Sequence, residues 1–179
     1  MPAYVAFLRA VNVGGRVVRM QALREALEAS GFGDVQTHIQ SGNVRVSTPL
    51  RSAARVEERL ERVLGECAGF DVPVMVRTPS GLRALTDEVA GIPPLLDPPG
   101  RRYVAVAKTP VTADAARALT AYEATPERAA VVRGDVLLEL GVGFREAKLP
   151  GARLERLAGT AVTARDLGVL DTLAERWGA

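Results

Sequence analysis

The stretch Arg9-Ala-Val-Asn-Val-Gly-Gly15 joins the first strand of the chain to its first helix. Residues 4–10 form a short, nearly continuous apolar run, which is typical of a buried strand. Beyond Gly15, apolar residues at positions 20, 23, 26 and 27 recur at helical spacing, and Gly31 is a stop signal. The chain therefore begins with a predicted strand, a glycine turn and a helix.

Two strands, a second helix and a fourth strand follow. Residues 35–40 and 43–47 alternate between apolar and polar, and Ser41-Gly42 between them is typical of a hairpin bend. Apolar residues at helical spacing predict a helix over 56–67, and alternating valines predict a strand over 72–76. The order β-α-β-β-α-β is that of the ferredoxin-like fold.

Two details of the second predicted helix concern single side chains. Cys67 lies on its apolar face, so we expect this thiol in the core. Glu57, Glu58 and Glu61 alternate with arginines at helical spacing, which favours a solvated face with paired charges over a metal or acid–base site.

The segment Ile92-Pro-Pro-Leu-Leu-Asp-Pro-Pro-Gly100 is the clearest break in the pattern. We predict a ferredoxin-like subdomain with an extra helix over 1–91, a linker over 92–100 and a second, smaller α/β subdomain over 101–179. The second subdomain partly repeats the first, with a strand, a helix and a hairpin around Gly134-Asp135. The predicted class is α+β.

The end of the chain departs from this repeat. A short helix is predicted over 151–157, and a last helix carries apolar residues at 167, 170, 173 and 177. Thr163 and Asp166 are the candidate caps of that last helix.

Composition limits the functional classes. A single cysteine excludes an internal disulfide framework and a cysteine metal cluster, and no apolar run reaches the roughly 20 residues of a membrane helix. No secretory leader is recognisable at Met1, so we expect a cytoplasmic protein without a membrane partner. The net charge of +2 is too small for a dedicated nucleic-acid binder.

Several short motifs together resemble the bacterial family catalogued as domain of unknown function 1697. They are Phe7-Leu-Arg-Ala-Val-Asn-Val-Gly-Gly15, Met20-Gln-Ala-Leu-Arg24, Gly31-Phe-Gly-Asp-Val35, Thr37-His-Ile-Gln-Ser-Gly-Asn43, Ala147-Lys-Leu149 and Thr163-Ala-Arg-Asp-Leu167. The resemblance implies a two-part α/β protein whose first part is ferredoxin-like, and it implies no established activity and no catalytic residues. The chain departs from the family pattern at Ala10, where glycine is usual, and at Asp166-Leu167, where Asn-Trp is usual.

The ferredoxin-like topology brings the end of the first strand next to the bend between the second and third strands. A helix N-terminus has free N–H groups that favour an anion by roughly 0.3–1 kcal/mol, and glycines allow a ligand to approach the backbone. We therefore predict an anion site for a phosphate-bearing metabolite or nucleotide. Its residues are Arg9, Asn12, Gly14, Gly15, Arg16, Gln40, Ser41 and Asn43, and Lys148 and Arg165 are candidates from the second half.

The opposing interpretation is structural. Gly14-Gly15 then only turns the chain, while Asn12, Ser41 and Asn43 satisfy backbone groups within tight loops. The spacing matches neither a Walker loop nor a dinucleotide fingerprint. Arg165 is open to the same interpretation, buried against Asp166 or a carbonyl.

Two other functions remain open from the residues. RNA binding on the sheet face would use Phe7, Arg9, His38 and Arg45, although the third strand has no aromatic residue and nucleic acid is disfavoured. Alternatively, the protein is an interaction or self-association module that uses a sheet edge or the last helix. With one histidine and one cysteine, no catalytic set can be built, so enzyme status stays open. No metal and no cofactor are predicted, and the oligomeric state is not determined.

Overall fold

The computed structural model describes residues 1–39, 42–124 and 126–178. Over these residues the elements are, in chain order, β1 (Ala3–Leu8), α1 (Met20–Ala29), β2 (Gly33–His38), β3 (Asn43–Ser47), α2 (Ala53–Ala68), β4 (Val74–Arg77), α3 (Pro79–Ala90), β5 (Arg101–Ala107), α4 (Ala113–Thr120), β6 (Glu127–Val132), β7 (Asp135–Leu140), α5 (Ala152–Ala158), β8 (Val162–Asp166) and α6 (Leu167–Trp177).

The predicted α+β class is confirmed. The strands form two four-stranded sheets with the orders β2-β3-β1-β4 and β6-β7-β5-β8, and neighbouring strands in both sheets are antiparallel. Two compact units contain them. The first unit is Met1–Leu82 together with the end of the chain from Leu173, and the second is Arg83–Thr172.

These packing units differ from the predicted segments 1–91, 92–100 and 101–179, whose status as separate domains stays a prediction. The proline-rich segment 92–100 belongs to the second unit. There the buried carboxylate of Glu139 accepts hydrogen bonds from the backbone N–H groups of Leu95, Leu96 and Gly100. The local sequence predicts a break in the pattern at 92–100. The structure adds that the distant carboxylate of Glu139 holds this segment in place.

The first unit buries the inner face of its sheet beneath α1 and α2. Tyr4, Ala6 and Leu8 alternate along β1 and pack with Leu23 and Leu27 of α1 in one apolar cluster. The intervening residues Val5 and Phe7, on the other face of β1, are also buried.

The second unit is built in the same order. Ala105 and Ala107 of β5 and Leu138 of β7 form an apolar cluster with Leu119 of α4 and Leu154 of α5. The small alanines at the centre of this sheet allow the short helices to lie close to it.

The structure corrects three local predictions. Thr163 lies within β8 and does not cap the last helix, because β8 pairs with β5 over this stretch; Asp166 instead accepts from the N–H of Gly168. Cys67 is exposed, and it lies in the last turn of α2, one residue before the helix ends. Glu57 is buried and accepts from the N–H of Val76, so it joins α2 to β4 and does not lie on a solvated face.

In the part of the chain that the structure describes, no helix combines the length and the apolar character needed to cross a membrane.

Candidate functional site

The candidate site lies at one end of the first sheet, which we call the loop end. It consists of residues 9–19 between β1 and α1, Ile39 and Gly42 between β2 and β3, and residues 69–73 between α2 and β4. The N–H of Leu8 donates to the carbonyl of Gly42 at 2.8 Å, and the N–H of Arg9 donates to the carbonyl of Pro73 at 2.9 Å. The predicted proximity of the end of β1 to the β2–β3 connection is therefore present through the bond to Gly42, and the bond to Pro73 adds the α2–β4 connection.

The glycine pair forms a tight turn that is closed by its own backbone. The N–H of Arg16 donates to the carbonyl of Val13 at 3.1 Å, and Gly14 and Gly15 have φ angles of +58° and +83°. Successive left-handed residues are typical of a type I′ turn, for which glycine is favoured. Both glycines are exposed, so the N–H groups of this turn are accessible to solvent.

The start of α1 does not coincide with the glycine turn. The helix begins at Met20, and Arg19 stands at its N-cap without a side-chain cap. The free N–H groups at the start of α1 and the glycines that allow a ligand to approach the backbone therefore lie at different places along the β1–α1 connection. The turn and the helix start are separate features because Val18 is buried in the core between them.

The two predicted asparagines stabilise loops. The side-chain oxygen of Asn12 accepts from the N–H of Val18 at 2.9 Å, and Asn12 itself has a left-handed φ of +56°. Asn43 is fully buried, and its amide donates to the carbonyl of His38 at 3.2 Å. These contacts agree with the structural interpretation of both residues.

The arginines of the β1–α1 connection remain accessible. Arg16 is exposed, and its guanidinium carbon lies 5.3 Å from the ring centre of Phe70, while Arg9 is half-buried. Arg19, which the sequence predicts to lie close to the site, is exposed as well. Residues 9–19 contain three arginines and no carboxylate. Gln40 and Ser41 lie outside the described residues.

Lys148 and Arg165 belong to the second unit. The backbone N–H groups of Lys148 and Leu149 donate to the buried carboxylate of Glu127 at 2.7 and 2.6 Å, while the side chain of Lys148 is exposed. Glu127 was missed by the sequence reasoning because a lone carboxylate at a strand start gives no signal of a distant loop.

Arg165 is buried in β8. Its guanidinium donates to the hydroxyl of Thr163 and to the carbonyl of Ala164, both at 2.9 Å, and burial lowers its pKa to about 10. The contact with a carbonyl agrees with the structural interpretation of this residue.

Phe7, which the RNA-binding alternative would use, lies on the other face of the first sheet. By strand register, Phe7, Asn43 and His38 form one row across the sheet, and Phe7 is fully buried. The guanidinium of Arg176, in the last turn of α6, contacts Nδ1 of His38 at 2.8 Å. An aromatic residue without exposed area offers no stacking surface.

Among the described residues, no group of three or more His, Cys, Asp or Glu side chains could hold a metal ion.

Comparison with known proteins identifies the family. The family model described as "Protein of unknown function (DUF1697)" matches residues 1–137. The chain belongs to the DUF1697 family. The suspected resemblance is thus confirmed. Curated proteins provide no match.

A solved structure supports the fold of this DUF1697 chain. The chain is similar to the conserved bacterial protein SP0830 from Streptococcus pneumoniae, with 18% sequence identity and a TM-score of 0.71. The match covers 100% of this chain and 99% of that one. At this identity the similarity concerns the fold alone.

Ala10, where the chain differs from the family pattern, has a positive φ. Ala10 has φ of +56°, a left-handed conformation that costs an L-residue roughly 1–2 kcal/mol and that glycine adopts freely. The glycine usual at this position in the DUF1697 pattern suits this backbone.

Proposed function

We propose that the loop end of the first unit binds a phosphate-bearing metabolite or nucleotide, and that the unit which carries it is ferredoxin-like. The strand order β2-β3-β1-β4 with two helices supports the second part. The first part concerns binding only, and no catalytic step is included in it.

The observation that carries the proposal is an excess of polypeptide at this end of the first sheet. Its β1–α1 and β2–β3 connections contain eleven and four residues, whereas the corresponding β5–α4 and β6–β7 connections of the second unit contain five and two. The second unit shows that the same strand order can be closed with far less chain. The additional residues of the first unit are therefore available for a role other than closing the sheet.

The chemistry of the longer connection suits an anion. Exposed Arg16 and Arg19 are always charged, and a planar guanidinium can bind two phosphate oxygens at once. The exposed N–H groups at Gly14 and Gly15 add donors in a left-handed turn, a backbone conformation that is found around bound phosphates. Both kinds of donor are present within six residues of one another.

The test is a titration with inorganic phosphate, pyrophosphate and nucleotides, followed by thermal unfolding and by backbone amide shifts. We expect a rise in Tm and amide shifts centred on Gly14 and Gly15. The variant Arg16→Gln with Arg19→Gln should abolish both responses, because neutral amides of similar length lose the charge.

The matched control is Arg145→Gln with Arg156→Gln, which removes two exposed arginines from the second unit. It should respond like the unmodified chain. If the control loses the response equally, or if none of these anions gives a response, the proposed site is wrong.

Asp71 provides a test in the opposite direction. This exposed carboxylate lies in the α2–β4 connection next to Phe70, over whose ring Arg16 is placed. Asp71→Asn should tighten anion binding by about twofold to fivefold at low salt, the size of an exposed charge interaction, and the gain should shrink as salt is added. Weaker binding by this variant would contradict an anion site at the loop end.

A further inference from the structure

The loop end exposes aliphatic side chains beside its arginines. Val13, Val17 and Ile39 are 58%, 74% and 49% exposed. The other exposed large apolar residues in the described ranges are Met1 and Phe144, at 79% and 37%. Three of these five exposed residues therefore lie on the β1–α1 and β2–β3 connections, which are longer than their counterparts in the second unit.

Burial within the same connection shows that this exposure is selective. Val11 and Val18 are 4% and 8% exposed and belong to the core of the first unit, whereas Val13 and Val17 stand in water. The fold therefore uses two valines of this stretch and leaves two without a packing role. Exposed apolar residues that cluster beside a polar site are characteristic of binding surfaces.

Exposed aliphatic residues and arginines alternate along the β1–α1 connection. Val13 precedes the glycine turn, Arg16 and Val17 follow it directly, and Arg19 comes two residues later. The ring of Phe70, half-buried beneath the guanidinium of Arg16, adds apolar area. Charged and aliphatic exposed side chains thus follow one another along this connection.

We infer that the ligand of the loop end is a phosphate monoester that carries an apolar group and is free in solution. This inference rests on the proposed function and narrows it, since inorganic phosphate and polar sugar phosphates would use the arginines and leave the valines in water. The counterpart connections in the second unit, 108–112 and 133–134, expose no large apolar residue and would not show this preference.

The test compares inorganic phosphate with methyl, butyl and hexyl phosphate at constant ionic strength, below the concentrations at which they aggregate. Transfer of one methylene from water to an apolar surface contributes up to about 0.8 kcal/mol, so we expect affinity to rise by about twofold to fourfold per methylene. Amide shifts at Val13, Val17 and Ile39 should accompany the longer chains.

The variant Val13→Ser with Val17→Ser should bind inorganic phosphate normally and lose the dependence on chain length. Phe144→Ser, which removes an exposed apolar side chain from the second unit, should keep that dependence. Arg16→Gln with Arg19→Gln should lose all of these ligands.

The outcomes separate the two proposals. Binding of phosphate with equal affinity for every chain length overturns the inference and leaves the proposed function standing. No binding of any phosphate compound overturns the proposed function. Dependence on chain length that persists in the double serine variant places the apolar contact elsewhere and overturns the inference. Sedimentation with vesicles of anionic phospholipid, without binding of any monomeric ester, also overturns it in favour of a lipid surface.

Discussion

The two units have the same strand order and matching backbone contacts. In register, Leu8 of β1 pairs with Val74 of β4, and Ala107 of β5 pairs with Val162 of β8. The next N–H in each unit makes the equivalent hydrogen bond, from Arg9 to the carbonyl before β4 and from Lys108 to the carbonyl before β8, both at 2.9 Å. These positions therefore correspond residue by residue.

The helices are fixed to the sheets by corresponding carboxylates. Glu61 of α2 accepts from the N–H of Val74 at 2.8 Å, and Glu155 of α5 accepts from the N–H of Val162 at 3.2 Å. Each glutamate accepts a hydrogen bond from a backbone donor at the start of an edge strand.

The hairpins show where the units begin to differ. Gly42-Asn43 and Gly134-Asp135 are equivalent by register, and both glycines are left-handed. In the first unit the N–H of Leu8 donates to the carbonyl of Gly42, whereas in the second the N–H of Ala107 donates to the carboxylate of Asp135. In both units this N–H donates to the hairpin that faces it.

What the comparison teaches is that conserved backbone contacts leave the connections free to diverge. The second unit has short connections and gains a carboxylate clamp, Glu139, around residues 92–100. The first unit has long connections with accessible arginines and valines, and no acid among residues 9–19. We expect stability determinants to concentrate in the second unit and binding in the first.

The largest expected effect is that of Glu139→Ala. The variant removes the carboxylate that accepts from the Nε–H of Arg102 and from the N–H groups of Leu95, Leu96 and Gly100. Loss of one partner of a buried pair costs about 3–5 kcal/mol. Urea unfolding, with hydrogen exchange of the β7 amides, measures the loss.

The matched change in the first unit is Ser47→Ala, because Ser47 occupies the register position of Glu139. Its hydroxyl is buried and makes no hydrogen bond within the described ranges, so its removal should alter the free energy of unfolding by less than about 0.5 kcal/mol. Comparable losses of stability in Glu139→Ala and Ser47→Ala would contradict the expected difference between the two units.

Acid should reproduce part of the Glu139 effect. Burial raises the pKa of Glu139, but hydrogen bonds from Leu95, Gly100, Arg102 and Leu96 outweigh it and hold the pKa below its ordinary value of 4.5. A carboxyl with a lowered pKa contributes stability that is present above the ordinary value and is lost as pH falls through the folded-state value. Glu139→Ala should therefore flatten the loss of stability below about pH 4.5.

The hairpin glycines should give the next largest effect. A Cβ at Gly42 would lie 2.8 Å from the Cβ of Leu8, and one at Gly134 would lie 2.9 Å from the Cβ of Pro110. Left-handed strain and crowding together should cost about 2–4 kcal/mol for alanine at either position. Gly15→Ala meets no atom within 4 Å and should cost only about 1 kcal/mol. Thermal unfolding compares the loss of stability in the three alanine variants. Equal losses in all three would contradict the role of crowding.

The smallest effect is a gain in stability. Ala10→Gly relieves the left-handed strain and should stabilise the protein by about 0.5–1 kcal/mol, after allowance for the greater freedom of glycine in the unfolded chain. The register counterpart of Ala10 is Thr109, which has an ordinary φ and hydrogen bonds to Thr160, so Thr109→Gly should destabilise. If both changes had the same sign, strain at Ala10 would not be the cause.

Much of the fold could be predicted because it depends on local pattern. Alternation in strands and helical spacing located β1 to β4 and the helices between them, and the repeat located β5, β6 and β7. The sequence reasoning missed β8, since residues 162–166 are short and carry Arg165 where an apolar residue would signal a strand. The burial of that arginine beside its own strand neighbours appears only in the folded chain.

The candidate site was predicted in part. The meeting of the β1–α1 and β2–β3 connections follows from strand order, and the structure has it. The roles of individual side chains do not follow from spacing. Asn43 and Asn12 have the residue type of ligand contacts, but their amides satisfy nearby backbone groups.

The sequence by itself determined the α+β class, the order of elements apart from β8, the internal repeat and the family, because these depend on the periodicity of apolar residues and on motifs along the chain. Tertiary structure alone decided which valines are buried, which carboxylates clamp a backbone, and that the glycine turn is separate from α1. The physical reason is that burial and hydrogen bonding are set by residues distant in sequence, which local pattern does not contain.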